Sequence, residues 1–220
     1  MSHWPDQAIK VCGVRTVEHA LVAAQAGATY IGVIFAPGRR QISPALGQSI
    51  SAALRAAGAD AKTVGVFVNE SAASINAVAA TAALDIVQLS GDENPEIVAQ
   101  LLVPAFKTLR LTNHPAEQQW LVAAQAQPER VRLHIDGHAP GSYGGAGVLA
   151  DWHQARVWAG NTPTLLAGGL SPDNIAAAVE AVAPWGVDVS SGVETNGIKD
   201  SAKIVAFVAA ARHGLGKLHI

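Results

Sequence analysis

The sequence predicts an α/β chain folded as a single (β/α)₈ barrel, the TIM barrel, on three observations. Short aliphatic or β-branched runs recur along it, a longer alanine-rich stretch of helical character follows each run, and the alternation repeats eight times. Strands separated by one helix each are parallel, because an antiparallel neighbour needs only a tight turn whereas a parallel one needs a crossover. Runs without polar alternation, such as 31–35 and 64–68, suit strands buried on both faces. Eight such units in 220 residues take about 27 residues each, near the lower end of the range for this fold. A doubly wound open sheet is the alternative, disfavoured because the first strand lacks a GxGxxG turn.

In chain order the strands are expected at 9–12, 29–35, 63–68, 85–89, 105–109, 131–136, 164–167 and 187–190. The helices are expected at 17–26, 44–57, 72–83, 95–102, 116–126, 152–159, 172–182 and 202–212. Several carry a start signal. Thr16, Ser43-Pro44, Ser71, Asn94-Pro95 and Ser171-Pro172 offer a side-chain oxygen to the unpaired first-turn N–H groups, or a proline where no N–H is needed. The longest irregular stretch, 137–150, holds five glycines and one proline, and a loop of that length in a compact domain usually carries function. No linker or shift in composition divides the chain, so residues 1–220 read as one domain.

Half of the residues are apolar and 15% are charged, which supports a packed core and argues against disorder. Fifteen Lys and Arg against seventeen Asp and Glu, with no basic run, disfavour a nucleic-acid partner. Cys12 is the only cysteine, which excludes an internal disulfide and a cysteine-rich zinc site. The eight histidines show no HExxH or other ligand spacing, so no metal is expected. Residues 1–10 lack the basic and apolar pattern of a secretory signal, and no stretch reaches the ~18 uncharged apolar residues of a membrane helix. The expectation is a cytoplasmic protein without a membrane partner.

In such a barrel the active site lies at the C-terminal ends of the strands. Three glycine clusters fall at the last three of these ends: Gly144-Gly145-Ala146-Gly147, Gly168-Gly169 and Ser191-Gly192. Any one pair reads as an ordinary turn, but three together would let several backbone N–H groups approach one phosphate without Cβ obstruction. Cys12 and Asp136 are the candidate proton-transfer groups. A cysteine is more often a buried small hydrophobe. Cys12, however, ends a strand beside Gly13, with Lys10 two residues earlier on the same face, where an ammonium would lower the thiol pKa. Asp136 closes an otherwise apolar run, where a charge has few reasons to point inward unless it caps a loop. Arg39 and Arg40, in the loop 36–42, are either solvated or placed to hold a carboxylate in a bidentate pair. His134 shares the barrel-facing side with Asp136 and reads as a satisfied core histidine.

These residues, taken with KVCG at 10–13, VGVFVN at 64–69, AGGL at 167–170 and DVSSGVE at 188–194, resemble the phosphoribosylanthranilate isomerase family of tryptophan biosynthesis. Further matching segments at 27–35, 40–44, 87–93, 133–136 and 143–152 extend the resemblance over nearly the whole chain. The resemblance implies an Amadori rearrangement of N-(5-phosphoribosyl)anthranilate to 1-(2-carboxyphenylamino)-1-deoxyribulose 5-phosphate. Asp136 would be the general acid at the furanose ring oxygen and Cys12 the general base at C2. Arg40 would take the anthranilate carboxylate, with Arg39 the alternative because the loop before it is one residue shorter than is common. Gly144, Gly145, Gly147, Gly168, Gly169, Ser191 and Gly192 would bind the phosphate, and Lys10, Gln88 and Asp188 would stand behind the residues that meet the substrate. The implied partner is a small phosphorylated substrate, no redox or metal cofactor is implied, and association with other tryptophan-pathway enzymes is the one protein partnership suggested.

Two positions depart from the family. Ser90 stands where histidine is usual and His134 where an aliphatic residue is usual, which reads as a compensating relocation of an imidazole within the barrel mouth. Related phosphate-binding barrels are the rival readings. Indole-glycerol-phosphate synthase calls for a longer N-terminal extension and catalytic Lys and Glu groups, and ribulose-phosphate epimerase for metal-binding strand ends; the tryptophan synthase α subunit is a third. A catalytically silent barrel serving assembly is disfavoured by the presence of both Cys12 and Asp136.

Overall fold

The computed structural model describes residues 4–137 and 148–219. Eight parallel strands close into a barrel: β1 (Ala8–Cys12), β2 (Tyr30–Ile34), β3 (Lys62–Phe67), β4 (Ile86–Leu89), β5 (Ala105–Leu109), β6 (Val131–Ile135), β7 (Thr164–Leu166) and β8 (Gly186–Val189). Each pairs with its neighbour in sequence, and β8 returns to β1 with Lys10 opposite Asp188. All eight expected strands are present, and each end falls within one residue of its expected place.

The α-helices are α1 (Val17–Ala26), α2 (Pro44–Ala56), α3 (Ala72–Ala82), α4 (Pro115–Ala126), α5 (Trp152–Ala159), α6 (Ile175–Val182) and α7 (Ser201–Gly216). Thr16, Ser43 and Ser71 cap as expected, accepting from the N–H groups of His19, Leu46 and Ser74. The expected α-helix at 95–102 is instead a 3₁₀-helix, Pro95–Gln100, and Asn94 makes no side-chain cap. Leu101 is already extended, at φ −79° and ψ 140°, and a residue before proline such as Val103 disfavours the helical region, so too few residues remain to repay α-helix nucleation. The expected start of the helix at 172 moves to Ile175. Asn174 Oδ1 accepts from the Ser171 N–H and Ser171 Oγ from the Asp173 N–H, which holds this stretch as a turn. A short hairpin, β9 (Glu194–Thr195) and β10 (Ile198–Lys199), adds to the plan. Its turn residues Asn196 and Gly197 both have left-handed φ, 52° and 77°, the conformation for which Asn-Gly is the strongest short signal. Among the described residues, no helix is long and apolar enough to cross a membrane.

Side chains alternate along each strand between the helical layer and the barrel interior. Outward residues such as Val11, Ile31, Val87, Leu133 and Val187 form one apolar core with Ala20, Ile50, Ile75, Trp120, Val179 and Phe207 of the helices. Inside the barrel the lowest layer is apolar: Ala8, Tyr30, Val64, Ile86, Phe106 and Leu165 pack with Trp4 and Trp185 at the N-terminal end. The Arg132 guanidinium lies 5.5 Å from the Trp4 ring and 4.8 Å from the Trp185 ring. Two residues further along the strands the interior turns polar, with Lys10, Gln88, Thr108, His134 and Asp188 all buried. A further two residues bring Cys12, Ser90, Asp136 and Ser190 to the rim.

One buried ion pair ties the upper ends of β3, β4 and β5 together. Lys107 Nζ lies 2.6 Å from Glu93 Oε2 and donates to the Gly91 carbonyl, while Glu93 Oε1 accepts from the N–H groups of Gly91 and Asn69. Glu93→Ala strands a buried ammonium and two N–H groups, so it should destabilise the fold by about 3–5 kcal/mol. A urea midpoint unchanged at constant slope would contradict that assignment.

Candidate active site

The rim residues surround a cavity of about 670 Å³ at the C-terminal end of the barrel. Its walls come from Cys12 of β1, the loop 36–40 after β2, Val66, Val68 and Asn69 at β3, Gln88 and Ser90 at β4, and His134 and Asp136 at β6. Residues 167–170 after β7 and Asp188, Ser190 and Ser191 at β8 complete it. Cys12, Asp136, Arg40, Gln88, Asp188, Gly168, Gly169 and Ser191 of the expected site therefore meet in one place, although they span 179 positions of the chain from Cys12 to Ser191.

Cys12 reaches the cavity because its partner on β2 is Gly32: a Cβ there would lie 2.8 Å from Sγ and 2.9 Å from the Cys12 Cα. Burial pushes the thiol above its ordinary pKa; Lys10 pulls it down and Asp188 pushes it up again. This corrects the expectation that Lys10 holds the thiol low. Lys10 Nζ is 2.7 Å from Asp188 Oδ2 and fully buried, so its charge is largely answered by the carboxylate before it acts on sulfur. Lys10 itself is pulled down by burial, but Asp188 and Cys12 beside it outweigh that and leave it raised.

Asp136 stands one residue past β6 with Oδ1 accepting the Gly137 N–H at 2.8 Å. Burial raises its carboxyl above the ordinary range and prevails over the downward pull of His134 and that N–H; Asp188 adds to the rise. Burial acts in the same direction on Asp188, but Lys10 and His134 overcome it and hold that carboxyl low. Two carboxyl groups in one cavity thus have opposite tendencies, the arrangement that separates an acid from a permanent anion. His134 Nε2 lies 2.9 Å from Asp188 Oδ2 and Nδ1 3.1 Å from Thr108 Oγ1, while Gln88 Nε2 donates to Ser90 and Thr108 at 3.1 Å each.

Arg40 is buried, and Arg39 is more than half exposed. Arg40 donates from Nε to Glu194 Oε1 at 2.6 Å and from Nη2 to Oε2 at 3.0 Å; Arg39 Nη2 and Lys199 Nζ join the same carboxylate at 3.1 and 3.0 Å. Burial pushes Glu194 up, but Arg40 and Lys199 hold it down at about 2. One carboxylate thus gathers three cations, which leaves an excess of positive charge at the cavity edge. Gly13, with φ of 73°, lets the arginine pass: a Cβ there would lie 2.6 Å from Arg40 Cδ. Neither Glu194 nor Lys199 was singled out from the sequence; the Asn196-Gly197 hairpin signal is what would have placed them side by side.

Gly168 and Gly169 line the cavity, and no backbone carbonyl among the described residues takes their N–H groups or that of Ser191. Asn174 Nδ2 donates to the Gly169 carbonyl at 2.9 Å and shapes this loop. Gly192 is not one of the lining residues, and a Cβ on it would overlap the Leu170 carbonyl, so its glycine lets the loops after β7 and β8 touch. Gly144, Gly145 and Gly147 lie outside the described residues. Among the described residues, no group of three His, Cys, Asp or Glu side chains could hold a metal ion.

Residues 9–210 match the family model for N-(5'phosphoribosyl)anthranilate (PRA) isomerase. An N-(5'-phosphoribosyl)anthranilate isomerase from Roseiflexus sp. (strain RS-1) is 52% identical over 210 residues, 93% of this chain and 97% of that protein. Among solved structures, phosphoribosyl anthranilate isomerase from Thermotoga maritima is similar with a TM-score of 0.81 at 31% identity, covering 94% of this chain and 99% of that one. A phosphoribosyl anthranilate isomerase in complex with reduced 1-(o-carboxyphenylamino)-1-deoxyribulose 5-phosphate has a TM-score of 0.78 at 30% identity, with the same coverage. On the match of nearly its whole length, and with the barrel and the cavity in place, the chain belongs to the N-(5'-phosphoribosyl)anthranilate isomerase family.

Proposed function

We propose that this chain catalyses the Amadori rearrangement of N-(5'-phosphoribosyl)anthranilate to 1-(2-carboxyphenylamino)-1-deoxyribulose 5-phosphate in tryptophan biosynthesis, with Asp136 as general acid and Cys12 as general base. The observation that carries the reading is the meeting of these two groups, from β1 and β6, at the rim of one cavity. A family member 30% identical to this chain holds the reduced form of the product in its structure. A cavity of about 670 Å³ is in the usual range for a ligand of that size.

Asp136, kept toward its protonated form by burial, gives its proton to the furanose oxygen, and the ring opens to a protonated Schiff base. That cation acidifies the hydrogen on C2, and Cys12 removes it to leave an enolamine. Loss of the C2 hydroxyl proton and protonation of C1 then yield the ketone. The C2 hydroxyl proton returns to Asp136 and the proton taken by Cys12 passes to C1, so each group ends in the protonation state in which it began; no electrons leave the substrate, so the chemistry asks nothing of a redox partner. The raised thiol pKa suits a base that must be strong once ionised, and the neighbouring iminium favours the thiolate at the moment it is needed. Arg40 receives the anthranilate carboxylate through the donors that Glu194 leaves unused, and Gly168, Gly169 and Ser191 receive the phosphate with Gly192 beside them; Gly144, Gly145 and Gly147, which would join them, lie outside the described residues.

Cys12→Ala and Asp136→Asn should each keep the fold, read by circular dichroism, and lower turnover by about 10²–10⁴, followed as loss of phosphoribosylanthranilate fluorescence. Near-normal turnover in either variant removes that residue from its role. Alkylation of the single cysteine by iodoacetamide reports the thiol directly. Its rate should rise with pH through a midpoint above the ordinary thiol value of about 8.5, since only the thiolate reacts. The reduced product analogue should slow it; an unprotected rate would place the thiol outside the site.

A further inference from the structure

The cavity floor contains a histidine for which the proposed chemistry has no task. His134 is 2% exposed, and both ring nitrogens are engaged: Nε2 with Asp188 Oδ2 and Nδ1 with Thr108 Oγ1. An ionised carboxylate only accepts, so Nε2 carries a hydrogen, and the Thr108 hydroxyl, held from its other side by Gln88, fixes the ring plane. Lys10 donates to the same Oδ2. Two donors therefore converge on one oxygen of Asp188, while Oδ1 is buried and has no hydrogen-bond partner among the described residues. Gln88 Oε1 and Ser190 Oγ are in the same condition, and all three residues line the cavity.

A buried acceptor left without a donor is costly, so three of them around one cavity indicate the chemistry of what completes it. Asp188 Oδ1 and Gln88 Oε1 can only accept. An anion at this place would face the Asp188 carboxylate, and a cation would face Lys10, whose Nζ is 2.7 Å from that carboxylate. A hydroxyl supplies the missing donor without adding a charge.

We propose that His134 is a positioning residue: together with Lys10 it holds Asp188 by Oδ2 so that Oδ1 accepts a hydrogen bond from a hydroxyl of the sugar phosphate in the cavity, with Gln88 Oε1 and Ser190 Oγ completing a hydroxyl-reading floor. The inference rests on the proposed function for the sugar-phosphate identity of the ligand. The imidazole acts through Asp188 and does not itself touch the ligand.

The test compares wild type with His134→Leu, His134→Gln and His134→Asn. Gln can place Nε2 where the imidazole Nε2 lies, whereas Asn is too short to reach Asp188. The probes are reduced 1-(o-carboxyphenylamino)-1-deoxyribulose 5-phosphate, which carries the sugar hydroxyls, and inorganic phosphate and anthranilate, which do not. Leu and Asn should weaken the analogue about tenfold, the worth of a hydrogen bond to a charged group, while Gln stays within about threefold of wild type and phosphate and anthranilate bind unchanged. Equal analogue affinity in all four proteins overturns the inference, as does Gln no better than Leu, or equal weakening of all three probes, which would mark a merely structural role. If the Leu variant does not fold, the difference between Gln and Asn decides. A wild-type protein that neither turns over phosphoribosylanthranilate nor binds the analogue overturns the proposed function and this inference with it; a wild type that does both while the variants match it overturns the inference alone.

Discussion

Where the barrel closes, β1 must lie beside β8, and the register puts Lys10 directly opposite Asp188 with both side chains inside. Neither charge could be buried there alone at a tolerable cost; together they offset each other at 2.7 Å, with His134 also on Asp188 Oδ2. The electrostatics of the cavity follow from that seam. Lys10 is two residues from Cys12 yet is committed to Asp188, so burial decides the state of the thiol. Asp188, held ionised, adds its charge to the burial that raises Asp136. The ion pair thus holds Asp188 low, and through that charge it adds to the rise that burial gives Asp136 and Cys12.

The same seam explains what could be read from the sequence and what could not. Strand runs and caps are local, and so the eight strands and the caps at Thr16, Ser43 and Ser71 were legible. The residues gathered at the strand ends were legible too, because the fold dictates which end of a strand faces the cavity. Their mutual influence was not. Chain order sets Lys10 two residues from Cys12, which by itself implies a lowered thiol, whereas the group that takes up the ammonium lies 178 residues away. Arg40 and Glu194 are 154 residues apart, and nothing in the pattern around either announces the other. Two further departures are local: the helix expected at 95–102 is a 3₁₀-helix ending at Gln100, and Asn196-Gly197 turns a hairpin that the eight-unit pattern does not contain.

The edge of the cavity shows a related economy. Glu194 holds Arg40 by its Nε and Nη2 side, and the hairpin that carries Glu194 also brings Lys199 to it. A flexible arginine is thereby ordered before any ligand arrives, which lowers the conformational entropy lost on binding. Gly13 and Gly32 contribute in the opposite sense, by having no side chain where the arginine and the thiol need space.

At its other end the barrel is stoppered by Trp4, Tyr30, Phe106, Leu165 and Trp185, with Arg132 set against two indole faces. Among the described residues the interior is therefore closed at the N-terminal end and opens only at the C-terminal ends of the strands. Whatever enters must back out the same way before the next molecule can follow, and solvent reaches the inner groups only past the occupant. The buried groups of the floor, Lys10, His134 and Asp188 among them, are thus walled from solvent on the N-terminal side by rings and aliphatic side chains.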